Sequence, residues 1–372
     1  MSSSSTTANA RFLPDEDPVA AGEALIADGR AGEAAGLLGK CLEAGRGGLL
    51  LRLTMQKALI AAGDTRNALA TARETALTNP GAAPAVLALG EALLAAGHLP
   101  SAIGEFQRAL RLDPELDGAR VQLGRAWLAA GEAGNALEAW RDIGKQHVSP
   151  AFAEAIAQAE KSLAAPRSDP NYVRHLFDQF STDYESRMLG QLHYSAPAIL
   201  RQLAELLGLG RSRALAVFDL GCGTGMMGEE VSGWASRLDG VDLSPAMIEK
   251  ARARGIYREL WVADLCAWLA APGHSYDLIF AADTLVYLGD LAPVFAGVAE
   301  RLARGGAFLF TVERKDGAHF ELGPKRRWRH SEAYLREEAA RAGLNVTGLM
   351  PCEPRQEAGT PVQGLAVALA RA

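Results

Sequence analysis

Cysteine is scarce in this chain, four among 372 residues. Cys41, Cys222, Cys266 and Cys352 stand far apart, with no CxxC pair and no histidine at metal-ligand spacing. That excludes the usual zinc and disulfide frameworks and predicts a reduced, metal-free protein. Apolar runs long enough for a membrane helix are also missing. Basic residues are outnumbered, 38 against 44, giving a net charge of −6, so no general attraction to nucleic acid or to an anionic membrane is expected. The first fourteen residues are rich in serine and threonine without an apolar segment. They read as a disordered tail and not a signal peptide, which makes the cytoplasm the expected compartment. With 49% hydrophobic and 22% charged residues, the chain has the composition and length of a globular protein of two domains.

Glycine, by contrast, is plentiful, and three glycines are placed with purpose. Val217-Phe218-Asp219-Leu220-Gly221-Cys222-Gly223-Thr224-Gly225 is an apolar run ending in an acid and alternate glycines. It reads as a strand entering a ligand-binding turn, because glycine admits positive φ and lets a ligand touch the main chain. The amphipathic stretch Met226 to Trp234 predicts a helix whose first N–H groups face that turn. A dinucleotide fingerprint wants its third glycine three residues after the second, a place held here by Met226. A nucleotide-dependent oxidoreductase is therefore the lesser alternative.

Three more apolar segments end in acids, at Asp242, Asp264 and Asp283. Counted from Asp219, the acids lie 23, 22 and 19 residues apart, which suits one strand, one crossover helix and two short loops. The spacing lines the four acids along one edge of a parallel sheet, where ligands bind. Any one of them alone reads equally well as a helix N-cap.

Together these residues resemble the S-adenosylmethionine-dependent methyltransferases built on a Rossmann-like sheet. The resemblance implies that the S-adenosyl-L-methionine site uses Asp219, Gly221, Gly223, Gly225, Met247, Leu265 and Asp283. It also implies that Asp242 takes both ribose hydroxyls and that Asp264 lies by the adenine amine. A carboxylate can accept two hydroxyls in a fork, and acids near a sulfonium favour it, so the chemistry agrees. Family members that methylate amides or adenine amines carry an Asn-Pro-Pro-Tyr signature where this chain has Ala282-Asp283-Thr284-Leu285, so chemistry on DNA bases is not expected. Phe177 to Tyr184 resembles the lead-in of the small-molecule methyltransferases, with Phe180 and Tyr184 on one helix face at i, i+4 and Tyr184 beside the substrate. The fifth strand is read at Gly306 to Glu313. Leu344 to Cys352 and Val362 to Ala370 then complete a seven-stranded α/β sheet with one antiparallel member.

Beyond the fifth strand, Gly323 to Ser331 concentrates Lys325, Arg326, Arg327 and Arg329 with Trp328 and His330. Either this loop draws in an anionic substrate, with Arg327 and Arg329 as its ligands, or it is a solvated loop before a helix capped by Ser331. A carboxylate acceptor needs no base. A hydroxyl or carbon acid does, and the candidates are His330, Asp283, Tyr287 and Glu313, with His330 first because its ordinary pKa lies near neutrality. The expected activity is methyl transfer to oxygen, carbon or sulfur of a small anionic metabolite.

The N-terminal part is rich in alanine and leucine and repeats every 34 residues: Gly29, Gly63, Gly97 and Gly131 share one position, and Ala34, Ala68, Ala102 and Ala136 another. Gly22, Gly90 and Gly124 share a third. The unit Gly81 to Pro114 resembles the tetratricopeptide repeat, and the whole chain resembles predicted bacterial methyltransferases with such repeats at the N-terminus. The expected organisation is a tail at 1–14, an all-α solenoid of four repeats with a capping helix at 15–165, a linker at 166–170 and the methyltransferase domain at 171–372. The cap, Ser149 to Ala165, places Phe152, Ile156 and Leu163 on its apolar side. Glu23, Lys57, Glu91 and Arg125 alternate in sign at one repeat position, which reads as a ladder of internal ion pairs. The largely apolar groove, with Leu53, Ile60, Leu87, Leu94, Val121 and Leu128, points to packing on the catalytic domain or a twin subunit, to a protein partner, or to a pure spacer. Two alternatives stay open: a protein or carrier-bound substrate recruited by the repeats, and a non-catalytic repeat scaffold.

Overall fold

The structure, a computed structural model, describes residues 17–371 apart from 142, 144–148, 182, 212–213 and 324. The tail expected at 1–14 lies outside the described residues. The chain forms two compact units that divide between Leu163 and Ala164.

The first unit is a series of helix pairs: α1 (Pro18–Ala27) with α2 (Ala31–Glu43), α3 (Leu49–Ala61) with α4 (Thr65–Thr78), α5 (Ala83–Ala95) with α6 (Leu99–Leu112), and α7 (Asp117–Ala129) with α8 (Ala133–Trp140). The 34-residue glycines end the first helix of each pair in the left-handed region, at φ 75, 78, 78 and 76° for Gly29, Gly63, Gly97 and Gly131. The matching alanines Ala34, Ala68, Ala102 and Ala136 are buried where the paired helices meet. Gly22, Gly90 and Gly124 sit under Leu38, Phe106 and Trp140, whose side chains occupy the space a Cβ would take. The second repeat exchanges the sizes, with Gln56 in the glycine position and Ala72 in the bulky one, so the pair volume is kept. A methyl added at Gly124 would lie 2.0 Å from Trp140 Nε1. Gly124→Ala is therefore expected to destabilise the repeats by about 1–3 kcal/mol, read as an earlier helical transition on thermal denaturation.

The cap is α9 (Pro150–Ala164), with Phe152 packed edge-on against Trp140 at 5.3 Å between centroids. Two expectations are corrected here. Leu163 is 60% exposed and so does not belong to the apolar side of the cap. Among the described residues no ion pair within 4 Å joins Glu23, Lys57, Glu91 and Arg125; burial pushes the Glu91 carboxyl up, against a hydrogen bond from Gln122 at 3.3 Å and the more distant charge of Lys57. Long side chains on an open helix face gain little from pairing in water.

The second unit begins with three helices, α10 (Pro170–Phe180), α11 (Tyr184–Gly190) and α12 (Ala196–Leu206). Then β1 (Leu215–Leu220), α13 (Met226–Val231), β2 (Ala235–Asp242), α14 (Pro245–Ala253), β3 (Glu259–Val262), α15 (Leu265–Ala270), β4 (Tyr276–Ala281), α16 (Ala292–Arg301) and β5 (Leu302–Arg314) alternate. A short pair, β6 (Phe320–Leu322) and β7 (Trp328–His330), precedes α17 (Glu332–Arg341). The chain closes with β8 (Leu344–Cys352), a hairpin of β9 (Gln356–Glu357) and β10 (Thr360–Pro361), and β11 (Gly364–Arg371). The sheet order is β3-β2-β1-β4-β5-β11-β8, parallel except for β11, which runs antiparallel to both β5 and β8. The expected seven-stranded sheet with one antiparallel member is therefore present, and β7 adds to the end of β5. The fifth strand begins four residues earlier than expected, because α16 stops at Arg301.

Strand alternation sorts the core into two layers. Phe218, Leu220, Ile279, Phe308 and Phe310 face α15, α16 and α17 on one side, while Val217, Leu278, Phe280 and Leu309 face α12 and α13 on the other. Phe218 stacks on Trp268 at 4.0 Å, locking α15 to β1. Each strand is thus fixed in register, and the loops at their carboxyl ends start from rigid points.

Candidate active site

Those loops surround a cavity of about 260 Å³. One end is the glycine turn: Gly221, Gly223 and Gly225 all have positive φ, at 78, 53 and 91°. At Gly221 a Cβ would lie 2.3 Å from the Thr284 side chain, whereas at Gly223 it would meet nothing within 4 Å and would fill the cavity. Asp242, at the end of β2, pins the turn: Oδ2 accepts from Gly223 N and Oδ1 from Ser244 N, each at 2.9 Å. Burial pushes its carboxyl up, against the pull of those backbone donors. A carboxylate has about four acceptor sites, so two remain for ligand hydroxyls.

Asp264 is the N-cap of α15, with Oδ1 accepting from Cys266 N and Ala267 N at 3.1 Å each. Its Oδ2 pairs with Arg167. This corrects the reading of 166–170 as a plain linker. Arg167 bridges Leu288, Ser168 N donates to Tyr287 O at 2.8 Å, and Pro166 O accepts from Gly289 N and Asp290 N. The segment is part of the cavity wall, with Arg167 and Ser168 both lining it.

The other end is built from α10, α11, the residues after β4 and the loop before β7. Tyr184, Asp283, Tyr287 and Arg327 line it together. Phe177 touches Tyr184 and Tyr287 edge-on, at 6.0 and 5.6 Å. Burial pushes both tyrosine hydroxyls above their ordinary pKa. Phe180 and Tyr184 do not share a helix face as expected, because α10 ends at Phe180 and a new helix starts at Tyr184.

Asp283 has φ 54°, rare for a residue with a side chain. Its N–H donates to Thr311 Oγ1 at 2.9 Å, and its two oxygens face Arg355 and Arg327, the latter at 3.4 Å. Arg355 is fully buried and also pairs with Glu313 and Glu357. Arg329 reaches Glu313 at 3.5 Å and Lys325 reaches Glu357 at 2.5 Å. Four cations thus meet three carboxylates, and Arg327 is the one that lines the cavity. The segment carrying Arg355 is held by Ser195 N to Pro354 O at 2.9 Å and Gln356 N to Leu192 O at 2.6 Å.

Several expected site residues lie elsewhere. His330 is corrected as the leading base: it is fully buried outside the cavity wall, with Nε2 3.0 Å from Gly289 O, and burial pulls its pKa down to about 4. It is a neutral core residue stacked on Tyr334. Arg329 is turned to Glu313 and does not line the cavity, so its expected part as a substrate ligand is corrected too. Gly225, Met247 and Asp219 stand behind the wall, whereas Asp242, Asp264, Leu265 and Asp283 are in it. Asp219 accepts from the Tyr257 hydroxyl at 2.6 Å, its Oδ1 has no partner among the described residues, and burial raises its carboxyl to about 7. The folded state therefore holds this proton more tightly than the unfolded one, so stability is expected to fall as pH rises from about 4 to about 7. Asp219→Asn should flatten that part of the curve of urea midpoint against pH.

A parallel sheet with a glycine turn after its first strand, an acid closing the second and a single antiparallel return defines a Rossmann-like methyltransferase architecture. The family model described as a methyltransferase domain matches residues 217–306, and that described as a tetratricopeptide repeat matches 54–117 and 87–142. One region of the chain thus matches tetratricopeptide repeats and another a methyltransferase domain. It is similar to the trans-aconitate 2-methyltransferase of Paracidovorax citrulli, 33% identical over 35% of this chain and 47% of that one. It is also similar to the ubiquinone biosynthesis O-methyltransferase of Xylella fastidiosa, strain 9a5c, 30% identical over 33% of this chain and 51% of that one. The chain thus spans about half the length of the curated relatives it matches. Among solved structures, the magnesium protoporphyrin IX methyltransferase of Synechocystis PCC 6803 superposes with a TM-score of 0.43, at 18% identity over 55% of this chain and 99% of that one. No helix among the described residues is long and apolar enough to cross a membrane.

Proposed function

We propose that the second unit transfers a methyl group from S-adenosyl-L-methionine to a small anionic metabolite. The observation that supports this best is that one cavity runs from Gly223, Asp242 and Asp264 to Tyr184, Tyr287 and Arg327. The residues fit the cofactor: Gly223 leaves room against the main chain, Asp242 keeps two acceptor sites for the ribose, and Ala263 and Leu265 offer an apolar wall beside Asp264 for a flat base. When bound, the cofactor supplies a methyl group on a good leaving group, so the protein's task is chiefly alignment. Tyr184, Phe177 and Tyr287 form an aromatic wall of the cavity, and Arg327 would offer a fork of N–H donors to an acceptor's anionic group.

The full chain with tritiated methyl donor and a panel of small carboxylates, phosphates and phenols tests the reading. Retained label on an anionic compound supports it, and absence of transfer to every compound and to whole extract removes it. Arg327→Ala is expected to raise KM for the acceptor about tenfold or more, since a bond to a charged group contributes about 1.5–3 kcal/mol, with the cofactor Kd unchanged. For the repeats we propose self-association or docking of a protein partner, including one that delivers a carrier-bound acceptor. Light scattering on the full chain, with and without labelled extract, distinguishes these.

A further inference from the structure

We infer that the acceptor atom is a carboxylate oxygen, methylated to an ester, and that Arg327 holds a second anionic group of the same molecule. This rests on the methyltransferase reading and adds the chemistry of the acceptor.

No carboxylate, phenol or imidazole among the described residues is placed in the cavity wall to take a proton from an acceptor. Among the described residues lining it there is no histidine, lysine, cysteine or glutamate. Asp242 has each oxygen on a backbone N–H and its remaining acceptor sites are those assigned to the ribose, and Asp264 is shared between two N–H groups and Arg167. Asp283 has a guanidinium at each oxygen, so both are already engaged. Tyr184 and Tyr287 are neutral phenols, able to donate a hydrogen bond and not to remove a proton. His330 is sealed in the core against Gly289. A hydroxyl or carbon acceptor would have to lose its proton in a site that has nowhere to put it. A carboxylic acid, with an ordinary pKa of about 4, arrives already ionised.

The charge pattern fits the same class. Arg327, Arg329, Arg355 and Lys325 outnumber Asp283, Glu313 and Glu357 by one, and Arg187 lines the cavity from α11. An anion at Arg327 would balance the cluster. In the transfer, a carboxylate lone pair forms the new oxygen–methyl bond as the carbon–sulfur bond breaks and its electron pair stays on sulfur. The negative charge of the acceptor and the positive charge of the donor vanish together, and no proton is taken up or released.

The test uses the full chain, tritiated methyl donor, and matched sets of short-chain dicarboxylic acids, monocarboxylic acids, and phenols or diols. Esterification makes the label alkali-labile, recovered as volatile methanol, with no proton released per transfer in weakly buffered indicator solution. Arg327→Ala should raise KM for dicarboxylates about tenfold or more while changing that for monocarboxylates little. Alkali-stable label with one proton released per transfer would overturn the carboxylate inference and leave the methyltransferase reading standing. An equal effect of Arg327→Ala on both acid sets would overturn the second-anion part. No transfer to any compound, despite measured cofactor binding, would remove the reading and the inference together.

Discussion

Asp242→Ala is expected to weaken S-adenosyl-L-methionine binding by at least about 100-fold in calorimetric titration. The carboxylate has two tasks, and alanine loses both. It accepts from Gly223 N and Ser244 N, each at 2.9 Å, and so holds the glycine turn open against the cavity. Without it, two N–H groups at a half-buried position lose their partner, at a cost of about 1–3 kcal/mol each where water does not replace it. The second task is the ligand's: two hydroxyls on an ionised acceptor are worth about 1.5–3 kcal/mol apiece. Even the lower of these figures gives roughly two orders of magnitude. Asp242→Asn separates the tasks, since the amide oxygen still accepts from one N–H but cannot take a fork of hydroxyls. It should fall between wild type and alanine. Equal binding by all three proteins would place the ribose elsewhere.

Much of this site was legible because its signals are local. A strand of period two, a glycine turn and an acid recur within some twenty residues of each other, and each is imposed by backbone geometry that few residues can satisfy. The 34-residue glycines are legible for the same reason, being the left-handed ends of helices. What could not be read is pairing across the chain. Arg355 meets Asp283, 72 residues away, and Glu313, 42 away, and it sits in an irregular stretch between antiparallel strands that has no period to mark it. Its only trace is a single arginine in a polar loop. Arg167, between Pro166 and Pro170, reads as linker in the sequence, yet its backbone bridges Leu288 and its guanidinium reaches Asp264. His330 misled for the opposite reason. Its residue type promised acid–base chemistry, but Trp328–His330 forms a strand on β5, and strand alternation sends that imidazole into the core while Arg329 points to Glu313.

Arg355→Met should be the most damaging single change away from the cofactor. The guanidinium is fully buried and neutralises Asp283, Glu313 and Glu357 at once. Methionine fills much of the volume, so the loss is electrostatic: two carboxylates with only 8% side-chain exposure are left with Arg327 and Arg329 at 3.4 and 3.5 Å as their remaining partners. Removing one partner of a buried pair costs about 3–5 kcal/mol. At roughly 2–4 °C per kcal/mol for a unit of this size, the melting temperature of the second unit should drop by about 10 °C. The pH dependence supplies a sign that a packing defect would not. Burial pushes the Glu357 carboxyl up, but Lys325, Arg355 and Arg327 outweigh it and hold that carboxyl below its ordinary range, so the part of the deficit that comes from losing Arg355 there should shrink as pH falls below about 4.5. Asp283→Asn added to Arg355→Met should recover part of the loss, a non-additivity expected of side chains in direct contact. A deficit that is independent of pH and unchanged in the double variant would mean that Arg355 acts by shape, and that Asp283 does not need its charge balanced to keep Arg327 turned toward the cavity.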